Sequence, residues 1–399
     1  MNYQQYFSTS INFHEANLHL SAHSHHFWPD VTENAQLQYW RDSASLADEK
    51  WKLILGAHLS NTQKGLAELT QFPHPENIVF APNTHELIIR IFSAIQKSGE
   101  KLRILTTDSE FHSFERQCRR WEEEKMIERT IIPTLPFSTF QERFLEAAQQ
   151  NDYDVAFFSQ VFFNSGIASG KLSELVQRLK PFVPWIIVDG YHGLGAIPTN
   201  LQDIASDIFY LGGSYKYLMG GEGCCFAFIP TKALALRPIN TGWFASFETL
   251  SEKNEQLIDY SQGAMRYAGA TMDFSAMYRL EAVLKNILYS REQLLEMHEY
   301  IQQLQKTFLE QLFNIGLPEF SKKTFLHHGW EFQGHFLTFK IPVQTAQSLH
   351  QHLRKAHIWT DLRNDRLRFG FAIYHQQKSF IPLFEALEIW KKEHRAANK

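Results

Sequence analysis

From Glu76 to Ile229 the chain alternates short β-branched or aromatic runs with amphipathic stretches. The runs at Asn77–Phe80, Arg103–Thr107, Thr130–Ile132, Val155–Ser159, Trp185–Asp189, Asp207–Tyr210 and Cys224–Ile229 read as strands, since continuous apolar runs suit a sheet covered on both faces. Between them, Leu87–Phe92, a stretch ending at Glu124, and the stretches at about 138–150 and 171–180 read as helices. Asn83 or Thr84 caps the first of these, with Glu86 at capping-box spacing from Asn83. This alternation predicts an α/β fold, a mainly parallel sheet covered by helices, with its ligand at the carboxyl ends of the strands. Thr84, the Phe111 loop, Asp189 and Lys216 all fall at such ends.

The last third has a different rhythm. Met272 to about Leu312 reads as one or two long helices, Phe336–Ile341, His357–Thr360 and Arg366–Phe371 as strands, and Ser379–Glu393 as a closing helix. At the other end, Leu18 to Leu20 reads as an extended segment entering a loop, followed by a helix from Val31 to about Gly56. The expected division is an N-terminal segment, 1–40, packing with the small domain, a large domain, 41–268, and a smaller C-terminal α+β domain, 269–399.

Composition narrows the class. The chain has 399 residues, 21% of them charged, and a net charge of −4, which offers no footprint for nucleic acid. No basic leader followed by an apolar core opens it, and no apolar run is long enough to span a membrane. With only Cys118, Cys224 and Cys225, a reducing compartment and a cytoplasmic location are expected.

The chemistry gathers around Gly212-Gly213-Ser214-Tyr215-Lys216-Tyr217-Leu218-Met219-Gly220-Gly221. A lysine hemmed in by glycines at a strand end is either a rim residue reaching for water or an amine placed to react with a carbonyl, a use that needs a lowered pKa. Asp189 ends the apolar run Trp185–Val188, and His192 follows in a glycine-rich turn. A strand-end carboxylate ahead of such a lysine matches pyridoxal phosphate, in which a carboxylate holds the ring nitrogen protonated and lysine carries the cofactor. The cluster His23-Ser24-His25-His26 admits three readings: substrate contact, a structural loop, or a metal site, the last lacking Cys, Asp or Glu partners at definite spacing.

Taken together, Asn83-Thr84, Phe111, Asp189-x-x-His192 and Ser214-Tyr215-Lys216 resemble fold-type-I pyridoxal-phosphate enzymes of the aminotransferase class V group. Within that group, Ser214–Gly223 and Thr241-Gly242-Trp243-Phe244-Ala245 are most similar to kynureninase. The resemblance implies that Asn83 and Thr84 bind the cofactor phosphate, Phe111 stacks on its ring, Asp189 pairs with the ring nitrogen and Lys216 anchors it. It places His192 and Tyr215 beside the phosphate or ring oxygen, with Tyr215 as a proton carrier. Trp243 would contact phosphate or substrate from the neighbouring subunit of a homodimer, and Arg368 would clamp the α-carboxylate of an amino-acid substrate.

Two places depart from kynureninase. Tyr267–Met272 replaces its Asn-Pro-Pro element, so Thr271 instead offers a hydroxyl to phosphate as in other class V members. Ala22-His23-Ser24 stands where kynureninase has Gly-Asn-Ser, leaving Ser24 and His25 as candidate substrate contacts. Cysteine desulfurase needs a thiolate on a loop well beyond the lysine, and no cysteine follows Cys225. Aminotransferase, epimerase and lyase activities share every cofactor residue. The expected reaction is kynureninase-like hydrolytic C–C cleavage of kynurenine or a related β-acyl amino acid.

Overall fold

A computed structural model describes residues 2–96, 99–249 and 257–397. Its main sheet has seven strands in the spatial order Ile78–Ala81, Cys225–Phe228, Ile208–Gly213, Trp185–Asp189, Val155–Ser159, Leu102–Thr107 and Ile127–Ile132. Cys225–Phe228 runs antiparallel to both neighbours, and the five strands from Ile208–Gly213 outward are mutually parallel. The central strands are apolar throughout because helices cover both faces: Ile186, Ile187, Val188, Phe157 and Phe158 are fully buried. Each such side chain contributes roughly 1.5–3 kcal/mol by leaving water.

Register brings the chemistry to one edge of this sheet. Asp189 lies between Ser159 and Leu211 on the flanking strands, so its carboxylate stands where those strands end. The helix Thr84–Ile95 starts at the same edge. Asn83 is its N-cap, with Oδ1 accepting from the Glu86 amide at 2.9 Å.

A second, four-stranded antiparallel sheet is ordered Asp361–Arg363, Arg366–Gly370, Phe336–Lys340 and Phe325–Leu326. The helices Arg291–Asn314, Val343–Lys355 and Ile381–Ala397 accompany it. Asn364, at φ 54°, makes the tight turn that sets Asp361 directly opposite Arg368. Leu18–His19 pairs in parallel with Ile358–Trp359, and Ser21 bridges to Gly370, which fastens the N-terminal segment beside the smaller sheet.

Several boundaries differ from the pattern. The helix expected to reach Gly56 ends at Leu46, because Ala47 turns to φ 48°. The chain then resumes as short turns and the helix Leu59–Thr70. Met272–Leu312 resolves into Ser275–Asn286 and Arg291–Asn314, the second capped by the Ser290 hydroxyl accepting from the Gln293 amide. Strand Ile127–Ile132 begins before the apolar run because Arg129, next to Glu128, lies under Glu115 and Glu122.

Candidate active site

Beyond Gly213 the chain leaves the sheet in a tight loop closed by Ser214 N–H donating to Cys224 O at 3.0 Å and Gly220 N–H to Ser214 O at 2.8 Å. Gly221, at φ 72°, occupies backbone space that a side chain adopts at a cost. This loop turns Lys216 inward, leaving it only 5% exposed. Its Nζ lies 2.7 Å from His192 Nε2, with the rings of Tyr191, Phe111 and Tyr215 at 4.9, 5.6 and 5.6 Å. Burial pulls the amine down to about 7, against the opposing pull of Asp189 and helped by the positive charge of Arg368. A substantial fraction is therefore free base at neutral pH, the form that attacks carbonyl carbon.

Asp189 accepts from the Tyr191 amide at 2.9 Å. Burial raises its pKa, while that amide and Lys216 oppose the rise. His192 is held well below the usual histidine range by burial, then by Lys216 and Arg368, so it faces the amine as a neutral ring. Burial also pushes the Tyr215 phenol up to about 12, which keeps its proton in place at neutral pH. Behind Asp189 sits Glu110, whose Oε1 accepts from Thr107 Oγ1 at 2.5 Å and Ser159 N–H at 3.2 Å, and whose Oε2 pairs with Ser159 Oγ at 2.6 Å. Burial pushes Glu110 up to about 8, with Asp189 adding to the rise against these hydrogen bonds.

A cavity of about 1100 Å³ opens over these groups, with Asn83, Thr84, Phe111, Asp189, Tyr215 and Lys216 in its wall and His192 among them. The other expected residues lie outside that wall. Trp243 donates from Nε1 to Thr271 Oγ1 at 2.8 Å, and both are exposed. Ser24 and His25 bond to each other, with the His25 ring 5.6 Å from that of Tyr215. Arg368 is buried, pairing through Nη2 with Asp361 at 2.8 Å and through Nη1 with the Phe163 carbonyl.

Three residues escaped the sequence reading, and a fourth, His23, stands there only within a cluster of open role. Tyr191 walls the cavity beside Lys216, Glu110 backs Asp189, Asp361 holds Arg368, and His23 packs fully buried against Phe336, with ring centroids 4.5 Å apart. Asp361 left no apolar pattern of its own and comes across from Arg368 only through the hairpin turn. Among the described residues, no three His, Cys, Asp or Glu side chains gather as a metal site.

A parallel sheet with a buried lysine and a carboxylate at its carboxyl edge defines a fold-type-I pyridoxal-phosphate enzyme. The aminotransferase class-V family matches residues 21–360, and the chain belongs to that family. Its cofactor is pyridoxal 5′-phosphate and its substrate an amino acid. The fold is shared with the cysteine desulfurase of Thermococcus onnurineus NA1, 16% identical with a TM-score of 0.78, covering 95% of this chain and 96% of that one. It is also shared with the cystine C-S lyase C-DES, 16% identical at TM-score 0.78 over 93% and 97% of the two chains. The Escherichia coli cysteine desulfurase CsdA is 16% identical at TM-score 0.77 over 96% of each. No curated protein sequence matches the chain. No helix among the described residues is long and apolar enough to cross a membrane.

The cavity suits the cofactor. A buried amine, a carboxylate at the strand edge, an aromatic face at Phe111 and the N-terminus of helix Thr84–Ile95 surround one space, and a helix N-terminus favours a phosphate.

Proposed function

We propose that the protein is a homodimeric hydrolase of kynureninase type, cleaving the β–γ carbon bond of kynurenine or a related β-acyl amino acid. The observation that carries this reading is Tyr215, adjacent to Lys216 in the cavity wall and holding its phenolic proton to about pH 12. Loss of an acyl group from carbon needs a proton delivered to the carbon left behind, and a protonated phenol beside the amine suits that step. Desulfurase chemistry needs a thiolate, and the one thiol in the cavity wall, Cys225, keeps its proton. Cys118, Cys224 and Cys225 are all buried, and burial raises each thiol, that of Cys225 to about 11.

In this reading Lys216 anchors the cofactor and afterwards moves the proton at the substrate's α-carbon. Asp189 holds a proton on the ring nitrogen, Phe111 covers one ring face, and Asn83 and Thr84 receive the phosphate with His192 nearby. When bound, pyridoxal phosphate supplies an electron sink for bond breaking at the substrate's α- and β-carbons. Arg368 takes the α-carboxylate, a task suited to a guanidinium fork. Ser24 and His25 border the substrate, while Trp243 and Thr271, paired on the surface, reach the neighbouring subunit's cofactor. The test is a substrate panel of kynurenine, 3-hydroxykynurenine, alanine with a keto acid, and cysteine. Release of anthranilate or its 3-hydroxy derivative supports the reading, and transamination without that release overturns it.

A further inference from the structure

Asp361 occupies the guanidinium that the proposed function assigns to the substrate carboxylate. Its Oδ2 lies 2.8 Å from Arg368 Nη2 and 3.8 Å from His23 Nε2, and its Oδ1 lies 3.3 Å from Arg363 Nε. His23 is completely buried, and neither of its ring nitrogens has a hydrogen-bond partner; Arg368 Nε is also buried and unmatched. Unmatched buried polar atoms cost stability, and these three belong to the two side chains that meet the Asp361 carboxylate.

We propose that Asp361 is a built-in stand-in for the substrate's carboxylate, held by Arg368 in the free enzyme and handed to His23 when an amino acid arrives. This rests on the reading of Arg368 as the carboxylate site. The exchange gives Arg368 Nε and His23 Nε2 a use. The incoming carboxylate takes Arg368, including Nε, while Asp361 turns to His23, which accepts a proton from solvent and pairs with it.

The surrounding charges favour that order. His23 faces Arg368, His192, Lys216, His19 and Asp361; burial first, then the cations and imidazoles, holds it neutral in the free enzyme. Asp361 faces Arg368, Arg363, His23 and His350. When a substrate carboxylate takes over Arg368, that cation stays neutralised, and Asp361 is freed to close from 3.8 Å onto the imidazole, so the pocket gains one negative charge beside His23. The ring then protonates.

The probe is propanoate, which carries the carboxylate and no amine, titrated into the cofactor-loaded enzyme near pH 7.5 by calorimetry in buffers of differing ionisation enthalpy. The unmodified enzyme is expected to take up about one proton per propanoate bound. Asp361→Asn should bind propanoate about fivefold more tightly, since no internal carboxylate competes, and without proton uptake. His23→Gln should bind more weakly, again without uptake, and propylamine should not respond to any of these changes. No proton uptake by the unmodified enzyme, or unchanged or weaker binding by Asp361→Asn, overturns the exchange. The unmodified enzyme's proton count decides the matter even if a variant fails to fold. Arg368→Gln separates the two ideas: if it binds propanoate as the parent does, the carboxylate site itself is misassigned. If it loses binding while Asp361→Asn is unchanged, only the exchange falls.

Discussion

Glu110 provides a prediction whose size follows from the structure. The residue is 6% exposed, and its pKa is pushed from 4.5 up to about 8 by burial. Between those values the folded protein keeps a proton that the unfolded chain releases. Stability therefore falls as pH rises through this window and levels off above about pH 8. At about 1.4 kcal/mol per unit of pKa, the group costs the native state roughly 5 kcal/mol by pH 9 relative to pH 4. Glu110→Gln removes the titration while keeping the geometry, because the amide oxygen accepts from Thr107 and Ser159 N–H and the amide nitrogen donates to Ser159 Oγ. Lys216, with its lowered pKa, contributes the opposite slope between about 7 and 10.5, and the depressed histidines do so below their usual range. The diagnostic quantity is accordingly the difference between variant and parent. Urea unfolding of the cofactor-free proteins at pH 5, 7 and 9 should show the variant gaining on the parent by several kcal/mol across the series. A difference that stays flat with pH refutes the assignment of a neutral Glu110.

Three further outcomes are expected. Tyr215→Phe, which deletes the proposed proton carrier, should lower kcat by about 10²–10⁴-fold with little change in KM, measured by steady-state kinetics on the productive substrate. Arg368→Lys should raise KM about tenfold or more, because an ammonium cannot reproduce the guanidinium's fork, and kcat should change less. Gly190→Ala would set its Cβ 2.1 Å from the Tyr210 ring, whose hydroxyl donates to Gln160 at 2.6 Å. It should cost about 1–3 kcal/mol in urea unfolding.

The alternating strands are readable because a parallel sheet buried on both faces writes continuous apolar runs, as at Trp185–Asp189. The edge strand Ile127–Ile132 is only half visible, since Glu128 and Arg129 face solvent or an ion-pair cluster rather than the core. The helix after Val31 carries no glycine or proline before its break, so its end at Ala47 depends on tertiary contacts. At the site, Asp189 and Lys216 are legible because the first ends an apolar strand and the second follows one closely. Asp361 is hidden in the charged stretch Asp361–Arg366, which carries no apolar run and becomes a strand only by pairing with Arg366–Gly370. His23 stands among three other ring- or hydroxyl-bearing neighbours in sequence. That it turns inward follows from its place beside Phe336 and against Gly370, where an added Cβ would lie 2.2 Å from the His23 ring. Glu110 reads as an ordinary loop carboxylate until Ser159, from a different strand, closes over it.

The proposed chemistry depends on Lys216 as the covalent anchor of the cofactor. Borohydride reduction of the cofactor-loaded protein, followed by peptide mapping, should place the reduced pyridoxyl group on the peptide containing Lys216 and nowhere else. A reduced protein that carries no pyridoxyl group, or carries it on another lysine, would contradict the account.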